Sequence, residues 1–177
     1  MATVSVSQTK PEDARGTQEV FYKTWLATYP NKEQGITVED IEHNFKDAFT
    51  DEALAKRAEM FRDPKPGHFH FIAKDGEKVV GVCRTIESEV GNKLQAIYVL
   101  PEYQGKGIGK MLWETAKTIF NPGKNIFVEV ATFNTKAIEF YKKLGFTDTG
   151  RRFSEERFRM KSGAMIPEME MVIETKK

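Results

Sequence analysis

Val4 and Val6 alternate with Ser5 and Ser7, a period of two that predicts a strand over residues 3–9. The segment TKPED then has the marks of a helix start, with Pro11 in the first turn and Glu12 and Asp13 at its positive end. That helix is expected to run to about Thr28 and to stop before Pro30. TVEDIEHNFKDAF opens with a Thr-x-x-Asp cap and continues as a helix. Residues 51–61 form a third, short one ended by RDPKPG. From Gly67 the period changes: HFHFIAK and KVVGVCRTIESE flank an Asp-Gly turn and read as a hairpin, followed by the strand KLQAIYVL. A glycine-rich loop leads into KGIGKMLWETAKTIF, where Ile108, Leu112, Ala116 and Ile119 share one helical face. NIFVEVA is a short strand. NTKAIEFYKKLGF is a helix capped by Asn134 and ended at Gly145, and strands at about 146–152 and 167–174 finish the chain. One strand, three helices, three strands, then α, β, α and two strands predict a mixed α/β sheet with helices on its faces.

Composition changes this picture only by exclusion. A chain of 177 residues suits one domain, residues 1–177, with a substantial core. A formal net charge of +1 argues against a dedicated nucleic-acid or membrane-surface protein. The single cysteine, Cys83, excludes an internal disulfide framework and a cysteine-rich zinc site. No apolar run reaches the length of a membrane span, and the first sixteen residues lack the pattern of a signal peptide. A cytoplasmic protein is the expectation.

The candidate chemistry begins at PEYQGKGIGKML. Three glycines in five residues each cost about 1 kcal/mol of backbone entropy, so the loop needs a reason. The dinucleotide fingerprint fails because position 110 is lysine, and the ATP loop fails because Gln104 precedes Gly109 by five and Met111 follows Lys110. What remains is a strand, a Pro-initiated turn and flexible backbone entering a helix N-terminus, a geometry suited to a pyrophosphate. Lys106 and Lys110 would add charge. A tight strand-to-helix turn with solvated lysines explains the loop equally well when it is taken alone.

The second constellation is VEVATFNTKAIEFYKKLGF, with Glu129 in a strand, Asn134 at a helix cap and Tyr141 on that helix. Gln104 to Gly109 together with NTKAIEFYKKLGF resemble the GCN5-related N-acetyltransferase superfamily: its Gln/Arg-x-x-Gly-x-Gly/Ala signature, then its Asn-rich turn, tyrosine helix and closing Gly-Phe. Residues 67–150 match well, and 10–66 only in outline. The resemblance implies a mostly antiparallel sheet of about seven strands flanked by four to five helices. It implies acetyl-CoA as co-substrate, bound at a splayed strand pair, with the pantetheine on the backbone of Ile97, Tyr98 and Val99. The pyrophosphate would lie on Gln104, Gly105, Lys106, Gly107, Ile108, Gly109 and Lys110. Asn134 would touch the pantetheine arm, or act only as a cap, and Lys143 would reach the phosphates or stay solvated.

The chemistry implied is direct acetyl transfer in a ternary complex to a primary amine, which must lose a proton first because alkylamines are protonated at neutral pH. Glu129 is the candidate base, its spacing to Asn134 and Tyr141 being similar to that in ribosomal-protein N-terminal acetyltransferases. A carboxylate paired with a neighbouring cation is the plainer alternative. Tyr141 is the candidate acid for the leaving thiolate, either with a lowered pKa or as a hydrogen-bond donor. Cys83 has no histidine beside it in sequence and is not expected to carry the acetyl group. His68 and His70 share a strand face without a third ligand nearby, so no metal is expected. The strip RRFSEERFRMK interleaves cations and aromatics, but Glu155 and Glu156 dilute it as a nucleic-acid surface. FYKTWLATYPNKEQGITVEDI and FRMKSGAMIPEMEMVI resemble bacterial polyamine acetyltransferases, which implies a polyamine-like small molecule as acceptor. Glu33, Glu39, Asp40 and Glu42 would attract such a polycation, or are simply an acidic helix N-terminus. A protein N-terminal amine, or no reaction at all in an acetyl-CoA-binding sensor, are the alternatives. A homodimer is left open.

Overall fold

The fold is taken from a computed structural model that describes residues 4–175. Thr3, the start expected for the first strand, lies outside these residues. Strand β1 (Ser5–Gln8) leads through a 3-10 turn (Pro11–Asp13) into α1 (Ala14–Thr28), which stops two residues before Pro30. Helix α2 (Val38–Asn44) starts at the expected Thr37 cap but ends at Asn44, short of the longer helix expected through Phe49. Helix α3 is Asp51–Arg62. Strands β2 (His68–Asp75) and β3 (Lys78–Ser88) form the expected hairpin. Then come β4 (Gly91–Val99), α4 (Ile108–Lys117), β5 (Ile126–Ala131), α5 (Thr135–Lys143), β6 (Thr147–Phe153) and β7 (Glu168–Ile173).

The seven strands make one sheet in the order β1-β2-β3-β4-β5-β7-β6, antiparallel throughout except between β4 and β5. Those two pair over only three positions, Asn92 with Ile126 to Leu94 with Val128, and then part. Between β3 and β4, Thr85 faces Leu94 whereas Arg84 faces Ala96, so Gln95 is an extra residue that bends β4 at the point where it leaves β5. Beyond it, β4 stays paired to β3 on one edge and has no strand partner on the other among the described residues. The main core joins β2–β5 and β7 to the buried stripe of α4 formed by Ile108, Leu112, Trp113 and Ala116. Ile119, expected on that stripe, lies just past the end of α4 and packs at its margin. A second cluster around Tyr29, Ile36, Ile41, Met160 and Ile166 ties α1 and α2 to the loop between β6 and β7.

Asp40 holds this second region together. Its carboxylate accepts from the Thr37 amide at 2.9 Å, completing a capping box, and from the Ser162 amide and hydroxyl at 2.8 and 2.9 Å. Burial alone would raise its carboxyl, but the bonds from Thr37 and Ser162 prevail and hold it at about 2. A depressed carboxyl contributes stability that is complete above the unfolded value near 4 and lost as pH falls toward 2. Asp40→Asn is therefore expected to cost about 2 kcal/mol at neutral pH and to flatten the acid limb of stability between pH 4 and 2. Urea unfolding at several pH values checks this, and an unchanged midpoint would refute it.

Candidate active site

Where β4 and β5 part, a cleft of about 980 Å³ opens, at the upper end of the range typical of small-molecule sites. Its walls come from the C-terminal half of β4, the glycine loop, the start of α4, the end of β5, the first turns of α5 and the end of α1. Of the residues singled out by sequence, Ile97, Tyr98, Val99, Gln104, Gly105, Gly107, Ile108, Gly109, Lys110, Glu129, Asn134 and Tyr141 all line it. The side chains of Lys106 and Lys143 do not. Lys106 places its ammonium 4.8 Å from the centroid of the Tyr103 ring, and Lys143 is exposed on α5.

The glycines of the loop do different work. Gly105 and Gly107 have φ of 76° and 82°, a region costly for other residues, and a side chain at either would point into open space. Gly109 sits inside α4, where an added Cβ would come within 3.2 Å of the Phe140 ring, so it lets α5 pack close to α4. The amide of Met111 donates to the Gly107 carbonyl at 3.1 Å, and amides ahead of that first helical bond have no intrahelical acceptor. They meet the cleft at the positive end of the α4 dipole. This backbone, with the unpaired edge of β4 and the Lys110 side chain, fits a pyrophosphate followed by an amide-bearing arm. Gln104 donates its side-chain amide to the Val99 carbonyl at 3.0 Å, tying the loop to the end of β4. Asn134 accepts from the Ala137 amide at 3.2 Å, so the cap is real, and the same residue borders the cleft.

Tyr141 is buried, its ring edge-on to Phe146 at 5.6 Å and beside Phe140 at 5.5 Å. Burial, and then the neighbouring Tyr98 and Cys83, push its phenol well above the ordinary tyrosine value. That direction favours the hydrogen-bond donor over the tyrosine of lowered pKa. Cys83 is fully buried and its thiol is pushed up to about 12, so it is inert as a nucleophile.

Glu129 projects away from the buried Val128 and Val130, as strand alternation requires. Its carboxylate accepts from the Lys93 ammonium at 2.6 Å, the pairing that sequence reading held as the plainer alternative. Two residues beside the cleft were missed. Tyr29, at the end of α1, exchanges a hydroxyl hydrogen bond with Tyr98 at 3.1 Å, and burial raises the phenols of both. Glu168, at the start of β7, is 9% exposed and has one oxygen shielded from solvent without a partner among the described residues. Burial first, then Glu155 and Glu129, push its carboxyl up to about 7. Its sequence signal was present in PEMEMVI: a glutamate on the strand next to that of Glu129, in a segment otherwise read only for its apolar residues.

Other motifs resolve structurally. The arginines of the 151–161 strip are paired locally: Arg151 with Glu170, Arg152 with Asp148, Arg157 with Glu155 and Arg159 with Glu156. Of the acidic residues expected to attract a polycation, Asp40 is buried in its capping box and Glu39 pairs with Lys161. Among the described residues there is no group of three or more His, Cys, Asp or Glu placed to hold a metal, and no helix long and apolar enough to cross a membrane.

Comparison with known proteins bears on the fold and the family. In structure, the chain superposes on PaiA N-acetyltransferase from Thermoplasma acidophilum in complex with coenzyme A, with a TM-score of 0.71 and 21% identity over 95% of this chain and 98% of that one. At that identity the likeness speaks to the fold. In sequence, it is 46% identical over 61 residues to the peptidyl-lysine N-acetyltransferase YjaB of Salmonella typhimurium, covering 34% of this chain and 40% of that protein. It is 33% identical over 92 residues to the spermidine N(1)-acetyltransferase of Vibrio cholerae, covering 48% and 53%. The chain thus matches about half or less of the length of these relatives. Residues 35–146, well over half of the chain, match the family model described as the acetyltransferase (GNAT) family, and the chain belongs to that family.

Proposed function

We propose that residues 1–177 form one N-acetyltransferase domain that moves an acetyl group from acetyl-CoA directly to a primary amine. The observation that carries this is a single cleft that unites a free β4 edge, the unpaired amides before α4, Asn134, Tyr141 and a carboxylate. Acetyl-CoA supplies a thioester whose carbonyl carbon takes the amine nitrogen and whose carbon–sulfur bond breaks. The free edge of β4 orients the pantetheine arm, the glycine-loop amides take the pyrophosphate charge, and Tyr141 donates a hydrogen bond to the departing sulfur. A sensor that only holds acetyl-CoA needs the first two features but has no use for Tyr141 or for carboxylates at the acceptor side.

The amine must give up a proton, and Glu129 is the carboxylate in the cleft wall that can take it, with Lys93 fixing its orientation. One observation favours Glu168 as a second reading. An unpaired carboxyl near 7 is better matched to proton transfer at neutral pH than one already bonded to an ammonium. The two variants Glu129→Gln and Glu168→Gln separate these readings. The variant that lacks the base loses the acidic limb of the pH–rate profile, and a limb kept in both would assign the step to water.

For the acceptor, the spermidine relative supports a polyamine, and a peptide N-terminal amine is the rival. The polyamine reading is weakened by the internal commitments of Asp40 and Glu39. The single unpaired Cys83 is compatible with a reducing compartment such as the cytoplasm. The test of function is release of CoA thiol from acetyl-CoA across spermidine, spermine, lysine, aminoglycosides and short peptides. Turnover on any class supports the enzyme, and silence across the panel together with tight acetyl-CoA binding would leave the sensor.

A further inference from the structure

One strand away from the cleft wall formed by β4 lies a charge cluster without its counterpart among the described residues. Arg84 of β3 and Arg57 of α3 approach the Phe21 ring, their guanidinium carbons 6.0 and 5.4 Å from its centroid. Both side chains are half-buried. Arg84 Nε and Arg57 Nη1 are shielded from solvent and have no hydrogen-bond partner, and neither arginine has a carboxylate within ion-pair distance among the described residues.

The surroundings do not supply a negative charge. His70 faces Arg84 across the β2–β3 ladder and packs on Phe61. Burial, and then Arg84, push its imidazole down to about 4, so it is neutral at pH 7. Arg57 is pushed down to about 10, first by burial and then by Arg84, as expected of two cations sharing a half-buried site. Arg84 is lowered first by burial, against which Tyr98 acts, and then by Arg157, which is itself paired with Glu155. The Phe21 face offsets part of this, but two unpaired guanidiniums partly withdrawn from water cost free energy that an anion would return. A guanidinium pair presents the forked donors that suit a carboxylate.

This cluster adjoins the reaction site. Arg84 stands opposite Ala96, which lines the cleft, and Phe21 meets Tyr98 edge-to-face at 5.4 Å. Tyr98 bonds Tyr29, and Glu168 lies near enough to that pair to raise both phenols. A positive end and a carboxyl end thus flank the two tyrosines.

We infer that Arg57 and Arg84 bind the carboxylate of the acceptor, and that the substrate is an alkylamine carrying an acid group rather than a bare polyamine. The inference rests on the acetyl-transfer reading above. A polycation would meet two uncompensated arginines and be rejected by them, which supplies specificity through repulsion.

The test uses pairs of amines that differ by one carboxylate: lysine against cadaverine, ornithine against putrescine, and 4-aminobutyrate against propylamine. Thiol release and the melting temperature of the CoA-loaded protein are both recorded. At least one acid-bearing amine is expected to exceed its partner in kcat/KM by about 10²-fold, because removing the acid leaves buried donors unpaired. The same amine should raise the melting temperature more than its partner does. Arg84→Gln and, should that variant fold poorly, Arg57→Gln should erase the preference through the acceptor KM and leave the acetyl-CoA KM unchanged.

Turnover of the diamines at equal or higher efficiency would overturn the inference while keeping the acetyltransferase. Thermal stabilisation by acid-bearing amines that is lost with Arg84→Gln, with no turnover of these amines, their partners or any class of the wider panel, would keep the anion site and replace the acetyl-transfer reading by the sensor. Stabilisation by inorganic phosphate or acetate but by none of the acid-bearing amines would assign the site to a free anion and overturn the substrate claim, as would no response to any of them.

Discussion

Replacing Gly107 by glutamate is expected to abolish acetyl-CoA binding while leaving the fold in place. Gly107 caps α4 at φ 82°, and an added Cβ meets nothing within 4 Å. The folded state therefore loses only the backbone preference, about 1–2 kcal/mol for an L-residue in the left-handed region. A carboxylate beside a helix N-terminus is itself compatible with the helix dipole. What the substitution changes is the charge at the place proposed for the pyrophosphate. Two like charges about 4 Å apart at an effective dielectric near 20 repel by about 4 kcal/mol, which is about three decades in affinity. Gly107→Ala supplies the control: it carries the same backbone strain without the charge and should bind acetyl-CoA within about tenfold of the parent protein. Calorimetric titration of the three proteins decides the matter. Equal affinity for the glutamate and alanine variants would show that the loop is a turn and not an anion cradle.

The loop was legible in sequence because its signal is local. Positive-φ glycines, a helix with one apolar face and a strand ahead of it all lie within about twenty residues. The same holds for the Thr37 capping box, where cap and partner are three residues apart. The end of α2 was not legible: FKDAF keeps polar and apolar residues at helical spacing, yet the chain turns at Asn44, and Phe45 and Phe49 pack against Tyr22 of α1. Tertiary contact overrode the local pattern there.

The side of the cleft proposed for the acceptor was hidden for a related reason. Tyr29, Glu168, Arg57 and Arg84 come from four elements spread over more than a hundred residues, and each has an ordinary explanation in its own segment. Their meaning depends on which charges lack partners, and pairing is a property of the folded sheet. The acidic run Glu33 to Glu42 shows the converse, since its charges are adjacent in sequence but Asp40 and Glu39 are bonded to Ser162 and Lys161 at the other end of the chain. Local density of charge does not by itself mark a binding site, whereas the burial of Glu168 and the isolation of the arginines among the described residues emerge only when β3, β7, α1 and α3 are assembled.

Tyr141→Phe is expected to lower turnover by about 10²-fold and to leave acetyl-CoA affinity within a few-fold of the parent protein. The ring contacts with Phe140 and Phe146 survive the change, so the variant should fold, and only the hydroxyl is lost. An unperturbed tyrosine giving its proton to a thiolate near 8.5 is already uphill by about 2 kcal/mol. Burial raises the Tyr141 phenol further and steepens that climb. Full proton transfer is then the poorer route, and donation of a hydrogen bond to the growing charge on sulfur is the better one. Such a bond strengthens only as the carbon–sulfur bond breaks, so its loss belongs in kcat and not in ground-state binding. The pH profile separates the two mechanisms. A proton-transferring tyrosine of lowered pKa would impose a basic limb that vanishes in the phenylalanine variant. A hydrogen-bonding one leaves the profile's shape unchanged and lowers it evenly from pH 6 to 9. Equal turnover in the two proteins would remove Tyr141 from the chemistry altogether, and a loss confined to the acetyl-CoA KM would make it a binding residue instead.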